Sequence, residues 1–120
     1  MYINNMGIIK MFRGDSFSTV PFINNSTEMI DDKYEITAND TIYFGLMECN
    51  QRFEDAILKK VYTIADVDTG GNITIKINPS DTVDLLPGKY FYSIKLKHDN
   101  QDESFDVYTL MQETEFWILR

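Results

Sequence analysis

The stretch Asp81-Thr82-Val83-Asp84-Leu85-Leu86-Pro87-Gly88-Lys89-Tyr90-Phe91-Tyr92-Ser93-Ile94-Lys95-Leu96-Lys97 decides how the rest of the chain must be arranged. Its opening residues suit one helical turn over an Asp81 N-cap, Pro87-Gly88 stops that turn, and a strand follows with Tyr90, Tyr92, Ile94 and Leu96 at alternate positions. Between them lie Phe91, Ser93, Lys95 and Lys97. One face is therefore apolar throughout while the other turns polar, the pattern of a central strand buried on one side. A tyrosine just after a turn that crosses between two sheets can bury its ring and bond its hydroxyl back to the backbone of the turn, a device known as the tyrosine corner. Tyr90 or Tyr92 is expected in that role, with Leu85 or Leu86 closing the core beneath it.

Outward from this strand, the alternation of Ile42, Phe44 and Leu46 predicts an inward face over Thr41–Glu48, and Tyr43, Gly45 and Met47 then face the other way. Ile73, Ile75 and Ile77 alternate with Thr74 and Lys76 after Asp66–Asn72, which reads as a hairpin-type loop. Val107–Leu119 carries Tyr108, Leu110, Phe116 and Ile118 on one parity, after a charged loop over His98–Asp106. Earlier, Gly7–Phe12 reads as a strand ended by the turn Arg13-Gly14-Asp15-Ser16. Phe17–Ile23 resumes extended structure with a break or an edge at Pro21, a polar loop covers Asn24–Asp32, and Ala56–Tyr62 suits an edge strand. About seven short strands without a long helical period specify an all-β, antiparallel sandwich, one domain over residues 7–120 preceded by an arm over residues 1–6.

At 120 residues the chain is long enough for a core without covalent staples, and 43% hydrophobic residues fit a folded domain. A net charge of -8 argues against a surface that tracks nucleic-acid phosphates. The lone cysteine, Cys49, has no partner within the chain and is expected to be a small buried thiol. Met1–Lys10 lacks the basic start and long apolar run of a signal peptide, and no segment is apolar enough to suggest a membrane span. Synthesis in a reducing cytoplasm is the expectation.

Catalysis requires convergent titratable groups, and one histidine beside loop acids does not supply them, so no enzyme and no cofactor is expected. His98 reads as a solvated loop residue. Asp66-x-Asp68-x-Gly70-Gly71 imitates the start of a calcium loop, but Ile77 occupies the position where a closing glutamate belongs, so no metal is expected. Arg13-Gly14-Asp15-Ser16 matches a short integrin-binding motif, but a strand-ending turn, with Gly14 taking the unusual dihedrals and Asp15 or Ser16 capping the bend, explains these residues.

Three segments together carry a family resemblance: Met11-Phe-Arg-Gly-Asp-Ser-Phe17, Asn39-Asp-Thr-Ile-Tyr-Phe-Gly-Leu-Met47, and Asp81-Thr followed by Leu86-Pro-Gly-Lys-Tyr-Phe-Tyr-Ser-Ile94. In their order they resemble the small immunoglobulin-like structural proteins of tailed bacteriophages and the amino-terminal domain of phage baseplate upper proteins. The resemblance implies an immunoglobulin-like sandwich and a virion protein made in the host bacterial cytoplasm: a capsid decoration, a head-fibre or neck adaptor, or a tail or baseplate component. The chain ends at Arg120 without a stalk or receptor-binding region, which favours a free-standing accessory module.

The expected partners are other virion proteins, or further copies of the chain, with neither nucleic acid nor membrane. Docking is expected through apolar surface and backbone rather than net charge, at Tyr43, Met47 and Phe91 on an outward sheet face and at Tyr2 and Ile3 of the arm, which would extend a neighbour's sheet. Two alternatives use other features. In one, Tyr43, Phe91 and Trp117 form a platform for the sugar rings of a carbohydrate or receptor. In the other, the acidity mimics nucleic acid, an option weakened by interspersed lysines such as Lys59, Lys60 and Lys76.

Overall fold

The computed structural model describes residues 1–26 and 30–120, so Thr27, Glu28 and Met29 of the expected polar loop lie outside the described residues. The chain is all-β. Its strands in order are β1 Tyr2–Ile3, β2 Ile9–Phe12, β3 Phe17–Thr19, β4 Ile23–Asn24, β5 Asp40–Met47, β6 Leu58–Tyr62, β7 Ile75–Ile77, β8 Gly88–Asp99 and β9 Phe105–Leu119, with a short helix α1 at Pro79–Thr82. Among the described residues these are nine strands rather than about seven, because the arm contributes β1 and Pro21 divides the extended segment into β3 and β4.

The largest sheet has the order β2-β9-β8-β5-β6. Its pairs are antiparallel except β2–β9, which run parallel, so the sheet is mixed rather than wholly antiparallel. Two small antiparallel sheets, β1–β4 and β3–β7, complete the fold. One hydrophobic core joins Met11, Ile42, Phe44, Leu46, Tyr92, Ile94, Leu96, Leu110, Phe116 and Ile118 of the large sheet to Ile3, Ile23, Ile75 and Ile77 of the small ones, a sandwich-like arrangement. Its centre is aromatic. Tyr92 stacks on Phe44 at 5.8 Å between ring centroids and meets Phe116 edge-on at 6.3 Å, the offset and T-shaped geometries that ring quadrupoles favour.

The stretch around Pro87-Gly88 connects the two layers, since β7 belongs to a small sheet and β8 to the large one. Helix α1 starts two residues before Asp81, so Asp81 is not its N-cap. Instead, its carboxylate accepts the Asn78 N–H at 2.7 Å and pairs with Lys60 of β6 at 2.7 Å. The corner follows. Tyr90 donates its hydroxyl to the Leu86 carbonyl at 2.6 Å, and Tyr92 donates to the Gly7 carbonyl at 2.6 Å. Both tyrosines therefore bond backbone, Tyr90 within the turn and Tyr92 to a segment distant in sequence. Leu85 packs against the core, whereas Leu86 is exposed.

Other expectations change. The connection from β6 to β7 passes between sheets, so Asp66–Asn72 is a crossover loop and not a hairpin. Asp68 Oδ1 accepts the N–H groups of Gly70 and Asn72 at 2.9 and 3.0 Å, which folds the loop on itself. The residues 1–6 are not a free arm: β1 pairs with β4, and Asn5 bonds both Val20 O and Phe22 N, bracketing the place where Pro21 offers no N–H. Cys49 is exposed, because β5 ends at Met47 and the chain turns over Glu48–Gln51 with Asn50 at φ 65°. The charged loop after β8 shortens to residues 100–104, since β8 and β9 pair out to Asp99 and Phe105.

Candidate functional site

The outer face of the large sheet, opposite the core, is built from residues of odd parity on β5 and β8. β5 and β8 are neighbours, with Tyr43 opposite Lys95, Gly45 opposite Ser93 and Met47 opposite Phe91. Tyr43, Met47 and Phe91 thus share this face, yet they do not form one exposed patch. Met47 is 1% exposed and Gly45 is roofed by Phe53. After β5 the chain folds back, and a single 3-10 turn at Phe53–Asp55 lays the Phe53 ring over the sheet. A Cβ on Gly45 would stand 2.8 Å from Phe53 Cε2, so the strand needs glycine there for the ring to seat.

Phe53 separates two regions. On one side, a hollow of about 370 Å³ is lined by Tyr43, Phe53, Val61 and Val107, with Lys59, Lys95 and Lys97 among its walls. Lys95 Nζ lies 4.8 Å from the Phe53 ring centre and Lys97 Nζ 4.1 Å from that of Phe105. On the other side, Lys89 Nζ lies 5.7 Å from Phe91 and 5.9 Å from Trp117, whose indole N–H donates to Glu115 at 3.0 Å. Tyr43 lies about four residues from Phe91 along the sheet, or about 13 Å, so Tyr43, Phe91 and Trp117 do not combine into a sugar platform. Lys89 in addition occupies the neighbourhood of the latter two rings.

The arm residues are not available as expected. Ile3 is 5% exposed and belongs to the core, while Tyr2 is at the surface with its hydroxyl accepting from Asn24 Nδ2 at 3.2 Å. β1 is paired to β4 along one edge and anchored by the buried Ile3, so these residues are held in their own domain rather than reaching out as a free arm.

The principal buried titratable cluster is elsewhere. Asp40, 2% exposed, accepts from the Tyr34 hydroxyl at 2.6 Å, from the Thr37 N–H at 2.8 Å and hydroxyl at 3.1 Å, and from His98 Nδ1 at 2.6 Å. Burial alone would raise the Asp40 carboxyl, but the donors from Tyr34, His98 and Thr37 outweigh it and hold the carboxyl below its usual range. Burial, reinforced by Asp40, pushes the Tyr34 hydroxyl up. His98 is therefore a half-buried strand residue and not a solvated loop residue. The cluster joins the segment before β5 to the end of β8, and Cys49 lies in the separate turn over Glu48–Gln51.

Lys95 and Lys97 take the polar face that the alternation of β8 gives them, whereas nothing in the sequence assigned Phe53, Val61 or Val107 to this surface. The one local signal was Gly45 inside an otherwise bulky strand, since a strand glycine marks the close approach of another group. Compared with known proteins, the chain matches no family model, no curated protein and no solved structure.

Proposed function

We propose that this chain is a non-enzymatic, immunoglobulin-like docking module that serves as a structural component of a phage particle. Its fold supports the reading: β5, β8 and β9 stand as the C, F and G strands with β6 as C′, β3 and β7 pair as B and E, and Tyr90 forms the corner. The phage assignment rests on the resemblance of the Gly14-Asp15-Ser16, Asn39-Asp40 and Leu86–Tyr92 motifs.

The observation that carries the docking role is the hollow on the outer sheet face. Tyr43 lies on its floor and Phe53 closes one end, Val61 and Val107 are 54% and 55% exposed at its sides, and Phe105 is 55% exposed beyond it. Aromatic and aliphatic anchors gathered around a concavity are the kind of surface that carries interface energy.

The test is attachment of purified protein to particles stripped of it, with the native copy number counted by mass spectrometry. Val61→Asp and Tyr43→Ala, each checked for wild-type circular dichroism, are expected to reduce attachment more than about tenfold. Wild-type attachment by both would remove this face from the function. Absence of the chain from purified particles would remove the virion role.

A further inference from the structure

We infer that the outer-face hollow takes an extended protein segment in which apolar side chains alternate with carboxylates, the former entering the hollow and the latter meeting Lys95 and Lys97. The inference rests on the docking reading above and names the partner's chemistry.

Charge is the first argument. The chain carries -8 overall, yet the side chains that project from this face beside the hollow include Lys59, Lys95 and Lys97. Among the described residues none of the three has a carboxylate within ion-pair distance, although Lys60, on the other side of the same edge strand, pairs with Asp81 at 2.7 Å. Lys95 and Lys97 are held instead over the rings of Phe53 and Phe105. A ring face attracts the ammonium without using up its N–H donors, so each cation is positioned and still able to bind a carboxylate. Glu54 and Asp99 stand at the two ends of the floor and would repel a segment carrying its carboxylates there, which places the acidic contacts centrally.

Shape is the second argument. Gly45, under Phe53, pairs with Ser93, and Phe105 pairs with Asp99, so the two rings bound a floor of about six residues of β8, or about 20 Å. An extended segment of about six residues spans that length, and laid edge-on to the sheet its period of two sends one set of side chains toward Tyr43 and Val61 on β5 and β6 and the other toward Lys95 and Lys97 on β8.

A second copy of the chain fits less well. A two-fold pairing through this face sets lysine against lysine, which costs affinity. Nucleic acid would supply anionic groups, but the net charge repels a polyanion as it approaches.

The experiment selects random twelve-residue displayed peptides on the full chain, with Val61→Asp as the counter-selecting surface. Enriched peptides are expected to alternate Asp or Glu with aliphatic or aromatic residues. Lys95→Glu/Lys97→Glu is expected to weaken them more than about tenfold, while Lys76→Glu on β7 leaves affinity unchanged. Neutral or basic winners, acidic winners indifferent to the double reversal, no enrichment over the counter-selection, or tighter binding of an oligothymidylate would each overturn the inference. The two readings separate in the particle assay. If Val61→Asp abolishes attachment and Lys95→Glu/Lys97→Glu does not, only the acidic partner is lost; if neither matters, the docking face itself is wrong.

Discussion

His98 Nδ1 lies 2.6 Å from Asp40 Oδ1 and ties the end of β8 to the start of β5. A carboxylate only accepts, so Nδ1 carries the hydrogen, and the same carboxylate also receives Tyr34 and Thr37. A buried carboxylate with this many donors is stable as an ion, whereas loss of its charge leaves the donors with a poorer acceptor.

The consequence is a defined acid dependence. Because the folded carboxyl of Asp40 is lowered, its contribution to stability is complete above the unfolded value of about 3.9 and is lost as pH falls through the lower folded value. Asp40→Asn should cost about 1–3 kcal/mol in urea melts at pH 7. The gap between variant and wild type should narrow in melts below pH 4. An equal gap at both pH values would show that the charge is not what matters.

The two corner-region tyrosines should behave alike in size and separately in origin. Tyr90→Phe and Tyr92→Phe each remove a hydroxyl bonded to backbone, a loss of about 0.5–1.5 kcal/mol apiece. Their acceptors, Leu86 and Gly7, lie in different segments, so the double variant should lose about the sum. A neutral Tyr90→Phe would dismiss the corner bond as a stabilising feature.

Gly45 and Phe53 should be energetically coupled. Gly45→Ala drives a methyl against the Phe53 ring and should cost about 1–3 kcal/mol. In a Phe53→Ala background the same change should cost much less, because the obstructing ring is gone. Additive effects in the four-member cycle would mean that Phe53 does not sit over Gly45 in solution.

Cys49 should react in the native state. Its place in the exposed turn after β5 predicts complete thiol labelling by a disulfide reagent without denaturant. Protection until unfolding would restore the buried thiol expected from its neighbours in sequence.

Local pattern carried much of the fold. The inward faces of β5, β7 and β8 were legible in Ile42, Phe44 and Leu46, in Ile75 and Ile77, and in Tyr90, Tyr92, Ile94 and Leu96, because a strand's side chains alternate and the core selects one parity. The turn at Arg13–Ser16 was legible too, since Gly14 takes φ 79°. Pairing partners were another matter. Nothing local in Gly7 announces the Tyr92 hydroxyl, and nothing in Gly14 announces Thr82, whose side chain accepts its N–H at 2.9 Å.

The same division runs through the candidate site. Alternation alone sent Tyr43, Met47 and Phe91 to one face of the sheet, and the pairing of β5 with β8 agrees with it. Whether a residue on that face meets solvent depended on what folded back over it, and there parity says nothing. Phe53 closed the middle of the face, Met47 was buried, and the open hollow fell between Val61 and Val107 on β6 and β9. His98 followed the same rule: its neighbours in sequence read as loop, and only the approach of Asp40 from β5 made it part of a buried network. Sequence set the period and direction of each strand, because those follow from backbone geometry; tertiary structure alone decided which groups were covered, because coverage depends on contacts between segments far apart in the chain.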